Sequence, residues 1–343
     1  MKALVTGGSG YFGTLLINKL LENNYEVGSL DINKPTKQQD NIEFYQVDIR
    51  DSDSLLKSIT GYDVIFHNVA QVPLAKNKKL FWEVNVEGTK NLCRTAVTAK
   101  IKKLVYTSSS AIYGVPEQNP VDENTIPYPD EAYGRAKLEG EKICKEHSNK
   151  GLDISIIRPR TIMGHGRLGI FSILFSWIRE GVNIPVLNNG VNIYQFVHAD
   201  DLANACILSS QKSSSFEAYN IGATDYYTMR ETLESLCEYA GTGSKVFSLP
   251  MRPIEFAMNI TSALGLSPLS PYHSLMYGRS LYFDINKAKL ELGFVPKRTT
   301  NEMFQESYDW FINNLDSTEY DENISLHRKP VKEAILKVVR WIS

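Results

Sequence analysis

MKALVTGGSGYFG, residues 1–13, decides the fold of this 343-residue chain. The apolar run from Ala3 to Val5 precedes four glycines, and apolar residues then recur at helical spacing as far as Leu21. This order predicts a strand, a tight turn and a helix. A glycine turn lets the backbone approach a pyrophosphate closely, and the free N–H groups at the helix start can bind that anion. An ordinary glycine-rich turn is the alternative, and the flanking elements favour a dinucleotide site.

The composition is that of a soluble globular protein of one or two domains. Its formal net charge of −2 gives no general attraction to nucleic acid, so no nucleic-acid partner is expected. No apolar run approaches the roughly 20 residues of a membrane helix, and no signal peptide is expected. Four widely spaced cysteines predict buried thiols in a reducing compartment, with neither a disulfide nor a metal site. These features predict a cytoplasmic protein.

Asp31 is the acid predicted to recognise the cofactor, at the end of a second predicted strand, residues 27–30. Its carboxylate can accept hydrogen bonds from both hydroxyls of an adenosine ribose and would repel a 2′-phosphate. No arginine follows in residues 32–34, so NAD is favoured over NADP. An acid that simply begins a turn is the alternative, and the pairing with the glycines decides between the two.

Strands and helices are predicted to alternate along the first half of the chain. Further apolar runs predict strands at residues 42–47, 64–67, 104–107 and 154–158. Helical patterns lie between them, including residues 80–99 and 131–145. Because no hairpin signal appears, the pattern predicts an α/β fold with a doubly wound parallel (Rossmann) sheet.

Three regions of the chain are predicted. Residues 1–160 form the NAD-binding domain, whose sheet is completed by segments near 193–222. Residues 161–316 form mainly a smaller substrate-binding lobe, with shorter elements at 171–180, 195–197, 230–239 and 286–292. Residues 317–343 form a tail.

Several polar residues fall at the predicted carboxyl ends of strands, where such sheets bind ligands. Besides the turn glycines and Asp31, they are Asp48, His67 and Ser109. A single bound ligand would account for all of them together.

Tyr133 and Lys137 are four residues apart and share one face of the predicted helix at 131–145. A phenol with a pKa of about 10 is a poor base, and a neighbouring ammonium group lowers that pKa. Such a tyrosine can move a proton to or from a secondary hydroxyl while hydride passes to or from NAD. Ser109 would hold the same hydroxyl. A solvated Tyr–Lys helix face is the common alternative, which the N-terminal glycine turn makes less favoured.

These motifs together resemble the extended short-chain dehydrogenases/reductases, and among them the NAD-dependent epimerase/dehydratase family, over residues 1–310. Matches beyond those above are Asn85, Tyr113-Gly114, Arg158-Pro159, residues 196–202 and residues 283–296. The resemblance implies that Tyr133 is the acid/base, that Lys137 orients the nicotinamide ribose and that Ser109 is the third catalytic residue. The cofactor site that it implies comprises Gly7, Gly10, Tyr11, Phe12, Gly13, Asp31, Asp48, Ile49, Val69, Ala70, Asn85, Thr107, Tyr133, Lys137 and Arg158.

Two departures from the family pattern concern the substrate. Ser110 and Ala111 stand where 4,6-dehydratases carry an Asp–Glu pair, so elimination of water lacks its acid and base. Tyr194-Gln195 stands where nucleotide-sugar enzymes usually carry a diphosphate-binding arginine. Either another arginine replaces it or the substrate has no diphosphate. The candidate substrate contacts are therefore Ser110, Arg160, Arg167, Tyr194 and Arg279.

The C-terminal tail carries a basic amphipathic pattern. From Arg328 onward there are five Lys or Arg residues against one Glu, with apolar residues at helical spacing. Such a helix can dock on its own fold, which is the favoured interpretation, or contact an anionic membrane surface. Membrane association would favour a lipid-linked substrate.

Three functions remain open at this stage. The preferred one is an NAD-dependent epimerase or oxidoreductase acting on a sugar nucleotide or related sugar. The alternative is a dehydrogenase of a lipid alcohol, similar to the 3β-hydroxysteroid dehydrogenases. A non-catalytic NAD-binding protein is disfavoured, because binding alone does not need Ser109, Tyr133 and Lys137. The resemblance also implies a homodimer that pairs through the helices carrying Asn85 and Tyr133.

Overall fold

The computed structural model describes residues 1–36, 41–71, 78–167, 171–250 and 278–315 of the chain. The strands in these ranges are β1 (Lys2–Thr6), β2 (Glu26–Asp31), β3 (Glu43–Gln46), β4 (Val64–His67), β5 (Lys103–Thr107), β6 (Asp153–Pro159), β7 (Thr161–Met163), β8 (Ile184–Leu187), β9 (Phe196–His198), β10 (Phe216–Ile221) and β11 (Val246–Leu249). The α-helices are α1 (Tyr11–Glu22), α2 (Ser52–Ile59), α3 (Lys78–Trp82), α4 (Thr89–Thr98), α5 (Ala132–Ser148), α6 (Phe171–Arg179), α7 (Ala199–Gln211), α8 (Met229–Ala240), α9 (Asn286–Leu292) and α10 (Thr300–Asn313).

Seven strands form one parallel sheet in the order β10-β6-β5-β4-β1-β2-β3. β1 lies between β2 and β4, so that Val5 is opposite Ser29 on one side and Phe66 on the other. The chain leaves β1 toward one edge and returns to build the other half from β4. Doubly wound sheets bind ligands in the crevice at such a reversal, outside the carboxyl ends of the strands. The predicted doubly wound parallel sheet is confirmed.

Helices cover both faces of this sheet because its strands are apolar on both sides. Ala3 and Val5 of β1 pack in the cluster beneath α1 and α7, and Leu4 packs in the opposite cluster with α4 and α5. Side chains alternate along a strand, so these three consecutive residues supply both cores. A continuous apolar run, rather than an alternating one, is what a sheet buried on both faces requires.

The C-terminal lobe has its own core and two small parallel sheets. Aromatic rings of α6, β9 and α10 pack together, with the Phe196 and Phe304 centroids 4.9 Å apart. β7 pairs with β9 and β8 pairs with β11. The strand predicted at residues 195–197 thus lies outside the main sheet, whose seventh strand is β10 instead.

Local details depart from the sequence pattern at residues 80–99. That stretch is divided into α3, a π-helix over Glu83–Gly88, and α4. The four cysteines are buried free thiols, as predicted. No helix in the described ranges combines the length and the apolarity needed to cross a bilayer. The basic tail helix predicted after residue 317 lies outside the described residues.

Candidate active site

The glycine turn leads from β1 into α1 and leaves no room for side chains on its inner side. Gly7 has φ of +73°, and a Cβ there would lie 3.0 Å from the backbone nitrogen of Val69. A Cβ on Gly13 would overlap the carbonyl oxygen of Gly7, so α1 packs directly on the turn. Gly10 is the N-cap of α1 and provides no capping side chain. The first turn of α1, which begins with Tyr11, therefore offers backbone donors to an anion.

Asp31 at the end of β2 is held against the glycine turn. Its carboxylate accepts hydrogen bonds from the backbone nitrogens of Ser9 (3.2 Å) and Asn33 (3.0 Å). Burial raises the pKa of Asp31, while these two bonds lower it. A carboxylate has about four acceptor positions, so this one retains capacity for ribose hydroxyls.

Asp48 and Ile49 follow β3 at the same edge of the sheet. Arg50 contacts the Asp48 carboxylate at 2.6 Å and lowers its pKa, and it also bonds Glu83 at 3.0 Å. Ile49 is buried, and a Cβ on Gly88 would overlap its side chain. Asp48, which the resemblance assigns to the cofactor site, therefore already has a cationic partner within the protein.

His67 lies beneath the cleft, and the expectation that it faces the ligand is corrected here. It is 0% exposed, and its ring contacts Thr6 Oγ1 (2.8 Å, at Nδ1) and Thr89 Oγ1 (3.1 Å, at Nε2). Thr89 donates to the carbonyl of Asn85, so Nε2 carries the proton and Nδ1 accepts from Thr6. Burial lowers the pKa of His67 to about 3. This neutral side chain ties β1, β4 and α4 together.

Asn85 positions the loop that contains Val69 and Ala70. Its Oδ1 accepts from the backbone nitrogen of Gln71 at 2.7 Å, and its Nδ2 donates to the carbonyl of the same residue at 3.0 Å. Both ends of the amide are therefore occupied by one backbone segment. Asn85 lies in the π-helix, an irregularity common at functional sites.

Asn68 is a cleft residue that sequence reasoning missed. Thr107 Oγ1 donates to its Oδ1 at 2.6 Å, whereas its buried Nδ2 has no acceptor among the described residues. A Cβ on Gly7 would lie 3.1 Å from the backbone carbonyl carbon of Asn68, so the Asn68 backbone is next to the glycine turn. The only signal available was its place directly after β4.

Tyr133 and Ser109 are brought together by close packing of α5 on the turn after β5. A Cβ on Gly134 would overlap the carbonyl of Ala111, so only glycine allows this approach. Glu131 caps α5 and accepts from the backbone nitrogens of Tyr133 and Gly134, both at 2.6 Å. The Tyr133 phenol is thereby held beside the Ser109 hydroxyl.

The pKa of the Tyr133 phenol is raised to about 12, mainly because burial disfavours the phenolate. Interactions with Ser109 and Arg167 lower this pKa, and Glu131 raises it. The sequence argument expected a pKa lowered by Lys137. That expectation is wrong for the protein alone, because desolvation of the ring outweighs the neighbouring charges.

Lys137 lies on the same face of α5 and is only 3% exposed. Its Nζ donates to the carbonyl of Thr107 at 2.8 Å and lies 4.9 Å from the ring centroid of Tyr106. Burial lowers the pKa of Lys137 to about 8. An ammonium group has three donors, so Lys137 keeps donors for a ligand at the end of β5.

Arg158 is a supporting residue, and the structure does not give its guanidinium the predicted place in the cofactor site. Nε and Nη2 donate to the two carboxylate oxygens of Glu141 at 3.0 and 2.7 Å, and Nη1 donates to Tyr113 Oη at 2.8 Å. Ser108 donates to the same carboxylate at 2.6 Å. This buried network fastens the Ser109 turn to α5 and engages all three guanidinium nitrogens of Arg158.

Three of the candidate substrate residues meet beside Ser109. Arg160 Nη1 donates to Ser110 Oγ at 2.8 Å, and the Arg160 guanidinium lies 4.5 Å from the centroid of the Tyr194 ring. Arg167 lies 5.6 Å from the ring of Tyr11 and close enough to Tyr133 to lower its pKa. These contacts place Arg160 next to the Ser109 turn and Arg167 next to Tyr133 and the first turn of α1.

Arg279 and Gln195 are placed differently from those three residues. The backbone carbonyl of Arg279 accepts a hydrogen bond from Asn192 Nδ2 at 3.4 Å. The amide of Gln195 is occupied, since it donates to the Ala223 carbonyl and accepts from the Phe283 nitrogen. Gln195 therefore does not replace the family's diphosphate-binding arginine.

Comparison with known proteins identifies the family. A sequence profile described as the NAD dependent epimerase/dehydratase family matches residues 3–222, more than half of the chain. This chain belongs to the NAD-dependent epimerase/dehydratase family. It is accordingly an NAD-dependent oxidoreductase or epimerase, with NAD as its cofactor.

Relatives of this epimerase/dehydratase chain differ in the substrates that their names give. Uncharacterized protein y4nG from Sinorhizobium fredii is 51% identical over 340 residues, 99% of this chain and 85% of the relative. Sterol-4-alpha-carboxylate 3-dehydrogenase, decarboxylating, from Mus musculus is 25% identical over 332 residues, 90% of this chain and 91% of the relative. The crystal structure of UDP-glucose 4-epimerase with UDP-glucose from Thermotoga maritima has a TM-score of 0.77 and 25% identity, and the match covers 92% of this chain and 100% of that one.

The residues present in this epimerase/dehydratase chain fit NAD. Gly13 lets α1 pack directly on the turn, and α1 offers backbone donors that no capping side chain occupies. Asp31 provides an anionic acceptor on one side, and Asn68 Nδ2 provides a buried donor on the other. Donors for phosphate and an acceptor for ribose hydroxyls are therefore both in place.

Three side chains that could ligate a metal ion lie close together near the turn at Gly164. Donor atoms of His165, His198 and Glu306 lie within 4.8 Å of one another. Nδ1 of His198 accepts from the backbone nitrogen of Asp200 at 3.2 Å, so its Nε2 carries the proton. His198 Nε2 lies 3.6 Å from Glu306 Oε2, beyond hydrogen-bond range, and both atoms are buried without a hydrogen-bond partner among the described residues. The absence of a metal site therefore stays a prediction.

Proposed function

We propose that this chain is an NAD-dependent epimerase or oxidoreductase that acts on a secondary hydroxyl of a sugar nucleotide or related sugar. The observation that carries the proposal is the juxtaposition of Ser109, Tyr133 and Lys137 at the carboxyl end of β5. An acid/base, a second hydroxyl donor and a cation at one strand end form the set that proton transfer beside a hydride acceptor requires.

Residues of the chain would hold NAD along the edge of β1, β2 and β4. Gly7, Gly10 and Gly13, with the first turn of α1, would receive the pyrophosphate, and Asp31 would receive the adenosine ribose. Asn85 acts through the loop that it fixes, and Lys137 would donate to the second ribose. When bound, NAD supplies the hydride acceptor and donor.

Tyr133 holds the proton that accompanies hydride transfer. Because its pKa is raised to about 12, the phenol is protonated at neutral pH and can donate to a carbonyl oxygen. Oxidation of a hydroxyl requires that proton to leave, which Ser109 and Arg167 make easier by lowering the pKa. Ser109 also orients the reacting oxygen.

Epimerisation is supported over dehydration by the residues that follow Ser109. The Ser110 hydroxyl accepts from Arg160, and Ala111 is buried and apolar, so neither supplies a carboxyl group to eliminate water. The likeness to UDP-glucose 4-epimerase covers nearly the whole chain. In an epimerase, hydride would leave one face of a ring carbon and return to the other.

A dehydrogenase of a lipid alcohol is the second candidate, and Tyr194-Gln195 favours it. Tyr194 Oη bonds Thr161 Oγ1 at 2.9 Å and the Gln195 amide is occupied, so neither residue grips a diphosphate. The similarity to a sterol-carboxylate dehydrogenase also favours a lipid alcohol as the substrate. Pairing as a homodimer through the helices that carry Asn85 and Tyr133, and membrane contact by the tail, remain predictions.

The first measurement identifies any dinucleotide that co-purifies with the full chain. Turnover is then followed with UDP-sugars and with 3β-hydroxysteroids, by product analysis and by NADH absorbance. Interconversion of UDP-sugars without net NADH supports the epimerase. Net NADH with a hydroxysteroid overturns it in favour of the second candidate.

Tyr133→Phe is the matched catalytic test, because it removes the phenolic oxygen and keeps the ring. We expect turnover to fall by at least about a hundredfold, with NAD content unchanged. Tyr128→Phe, at an exposed tyrosine, is the control. Turnover retained in Tyr133→Phe would refute the assigned role.

A further inference from the structure

Arg160 carries a buried charge whose hydrogen bonds are incomplete. The side chain follows β6 and is 1% exposed. Nη1 donates to Ser110 Oγ at 2.8 Å, whereas Nε and Nη2 have no hydrogen-bond partner in the part of the chain that the structure describes. Leaving a buried guanidinium without an anion is costly, and such groups are retained mainly where a ligand completes them.

The two unpaired donors lie on one edge of the guanidinium. Nε–H and the neighbouring Nη2–H point the same way and form the fork that binds two oxygens of a planar oxyanion. Arg158, two residues earlier, uses this same edge to hold both oxygens of Glu141. No described Asp or Glu forms an ion pair with Arg160. Its Nε–H and Nη2–H groups therefore have the geometry that binds an oxyanion, but no acceptor.

Aromatic rings fix the plane of the Arg160 guanidinium. Its Cζ lies 4.5 Å from the Tyr194 ring centroid and 5.6 Å from that of Phe283. The Tyr194 ring is itself held by the bond between its hydroxyl and Thr161. Ring faces stabilise a cation but do not satisfy in-plane N–H groups, so the fork is oriented and still available.

The place of Arg160 links the fork to the reacting group. Its partner Ser110 follows directly on Ser109, whose hydroxyl interacts with the Tyr133 phenol. An anion on the fork would therefore belong to a molecule that also reaches these two residues.

We propose that Arg160 binds an oxyanion of the substrate, a carboxylate or a phosphate, through Nε and Nη2. The inference rests on the proposed function only in taking Ser109 and Tyr133 as the reacting end of the cleft. It restricts the substrate to an alcohol with an anionic group near the oxidised carbon. Recognition by one buried fork also accounts for the tyrosine in place of the family's arginine at position 194.

The first test compares thermal unfolding of Arg160→Met and Arg158→Met in the full chain without substrate. Arg160→Met should leave Tm unchanged or raise it, because it removes an unpaired buried charge. Arg158→Met should lower Tm by several degrees, since Glu141 is left unpaired. An equal fall in both variants would make Arg160 a structural residue and overturn the proposal.

The second test measures the rise in Tm of the NAD-loaded protein with inorganic phosphate, glucuronate or glucose, at ionic strength matched with chloride. The native protein should respond to an oxyanion and not to glucose, and Arg160→Met should lose at least about tenfold in apparent affinity for that oxyanion. A rise in Tm with phosphate alone, or with glucuronate alone, identifies which oxyanion Arg160 binds. The exposed control Arg135→Met should behave as the native protein.

The proposal fails if neither oxyanion stabilises the native protein, or if Arg160→Met responds equally. Arg160→Lys keeps the charge without the fork and should retain only part of the response. These readouts need no turnover. Loss of hydride transfer in the Tyr133→Phe test therefore concerns the proposed function, and loss of anion binding concerns this inference.

Discussion

Buried polar side chains at the carboxyl edge of the sheet fall into two layers that differ in how completely they are hydrogen-bonded. The supporting layer comprises His67, Asn85, Glu141 and Arg158. The cleft layer comprises Asn68 and Arg160. In the supporting layer, partners from other elements occupy the donors and acceptors. In the cleft layer, donors lack acceptors among the described residues, and we propose that ligands complete them.

The difference separates residues that maintain the shape of the site from residues that recognise what enters it. A complete buried network costs little to keep and much to break, whereas an incomplete one costs stability until a ligand arrives. Substitutions in the supporting layer should therefore affect stability first. Substitutions in the cleft layer should affect binding first.

Glu141→Ala is expected to have the largest effect on stability. It leaves the Arg158 guanidinium and the Ser108 hydroxyl without their carboxylate, and should cost about 3–5 kcal/mol in the free energy of unfolding. Urea denaturation measures this loss. Glu139→Ala on the same helix breaks only a surface pair with Lys142 and should cost at most about 1 kcal/mol. Equal losses would contradict the distinction between the layers.

His67 should make the supporting layer sensitive to acid. Its pKa is about 3 in the folded protein and about 6.5 when unfolded, so the unfolded state binds more protons between these values. The stability that neutral His67 contributes is fully present above about pH 6.5 and is lost as the pH decreases toward 3. At about pH 4.5 the loss from His67 should be about 3 kcal/mol.

His67→Gln should reduce this acid sensitivity by removing the titrating group. The measurement is the free energy of unfolding at about pH 7 and pH 4.5, in the native protein and in the variant. His165→Gln, at an exposed histidine, is the control and should keep the native difference. An unchanged pH difference in His67→Gln would show that other groups cause it.

Asn68→Ala tests the cleft layer at its cofactor end. We expect NAD affinity to fall about tenfold, because a buried donor is removed, and stability to fall by about 1 kcal/mol for the bond from Thr107. Thr107→Val breaks that bond and keeps the amide, so its affinity loss should be smaller. The reverse order would place Asn68 in the supporting layer.

Asp31→Ala should have the smallest effect, a change in preference between cofactors. Without the carboxylate, affinity for NAD falls and repulsion of a 2′-phosphate disappears, so the NAD-to-NADP affinity ratio should fall by about tenfold or less. Calorimetric titration with both dinucleotides measures the ratio. An unchanged ratio would remove Asp31 from ribose recognition.

The fold and the cofactor edge could be predicted because their determinants are local. The strand, the turn and the helix of residues 1–22 follow one another directly, and alternating segments could only form a parallel sheet. The sequence predicts that segments near 193–222 complete the main sheet, and of the strands in that range β10 joins the sheet and β9 does not. β9 pairs with β7 outside the main sheet. This pairing joins segments 35 residues apart, so a local sequence pattern does not reveal it.

The roles of Arg158 and Arg160 could not be predicted, although the two residues are neighbours along the chain. The spacing of the two residues does not tell which side chains will contact them. The partner of Arg158 comes from α5, and those of Arg160 are residues 110, 194 and 283. The same limit applies to Tyr133. Its spacing from Lys137 identified the pair, but the direction of the pKa shift was wrong.

The sequence by itself determined the parallel α/β architecture, the glycine turn and the Ser109, Tyr133 and Lys137 set. These depend on periodicity and on backbone freedom within short segments, which are local properties. Only the tertiary structure decided which buried polar groups of the described residues are hydrogen-bonded within the protein and which are not. Burial and hydrogen-bond completion depend on every element that surrounds a side chain, and those elements are distant in sequence.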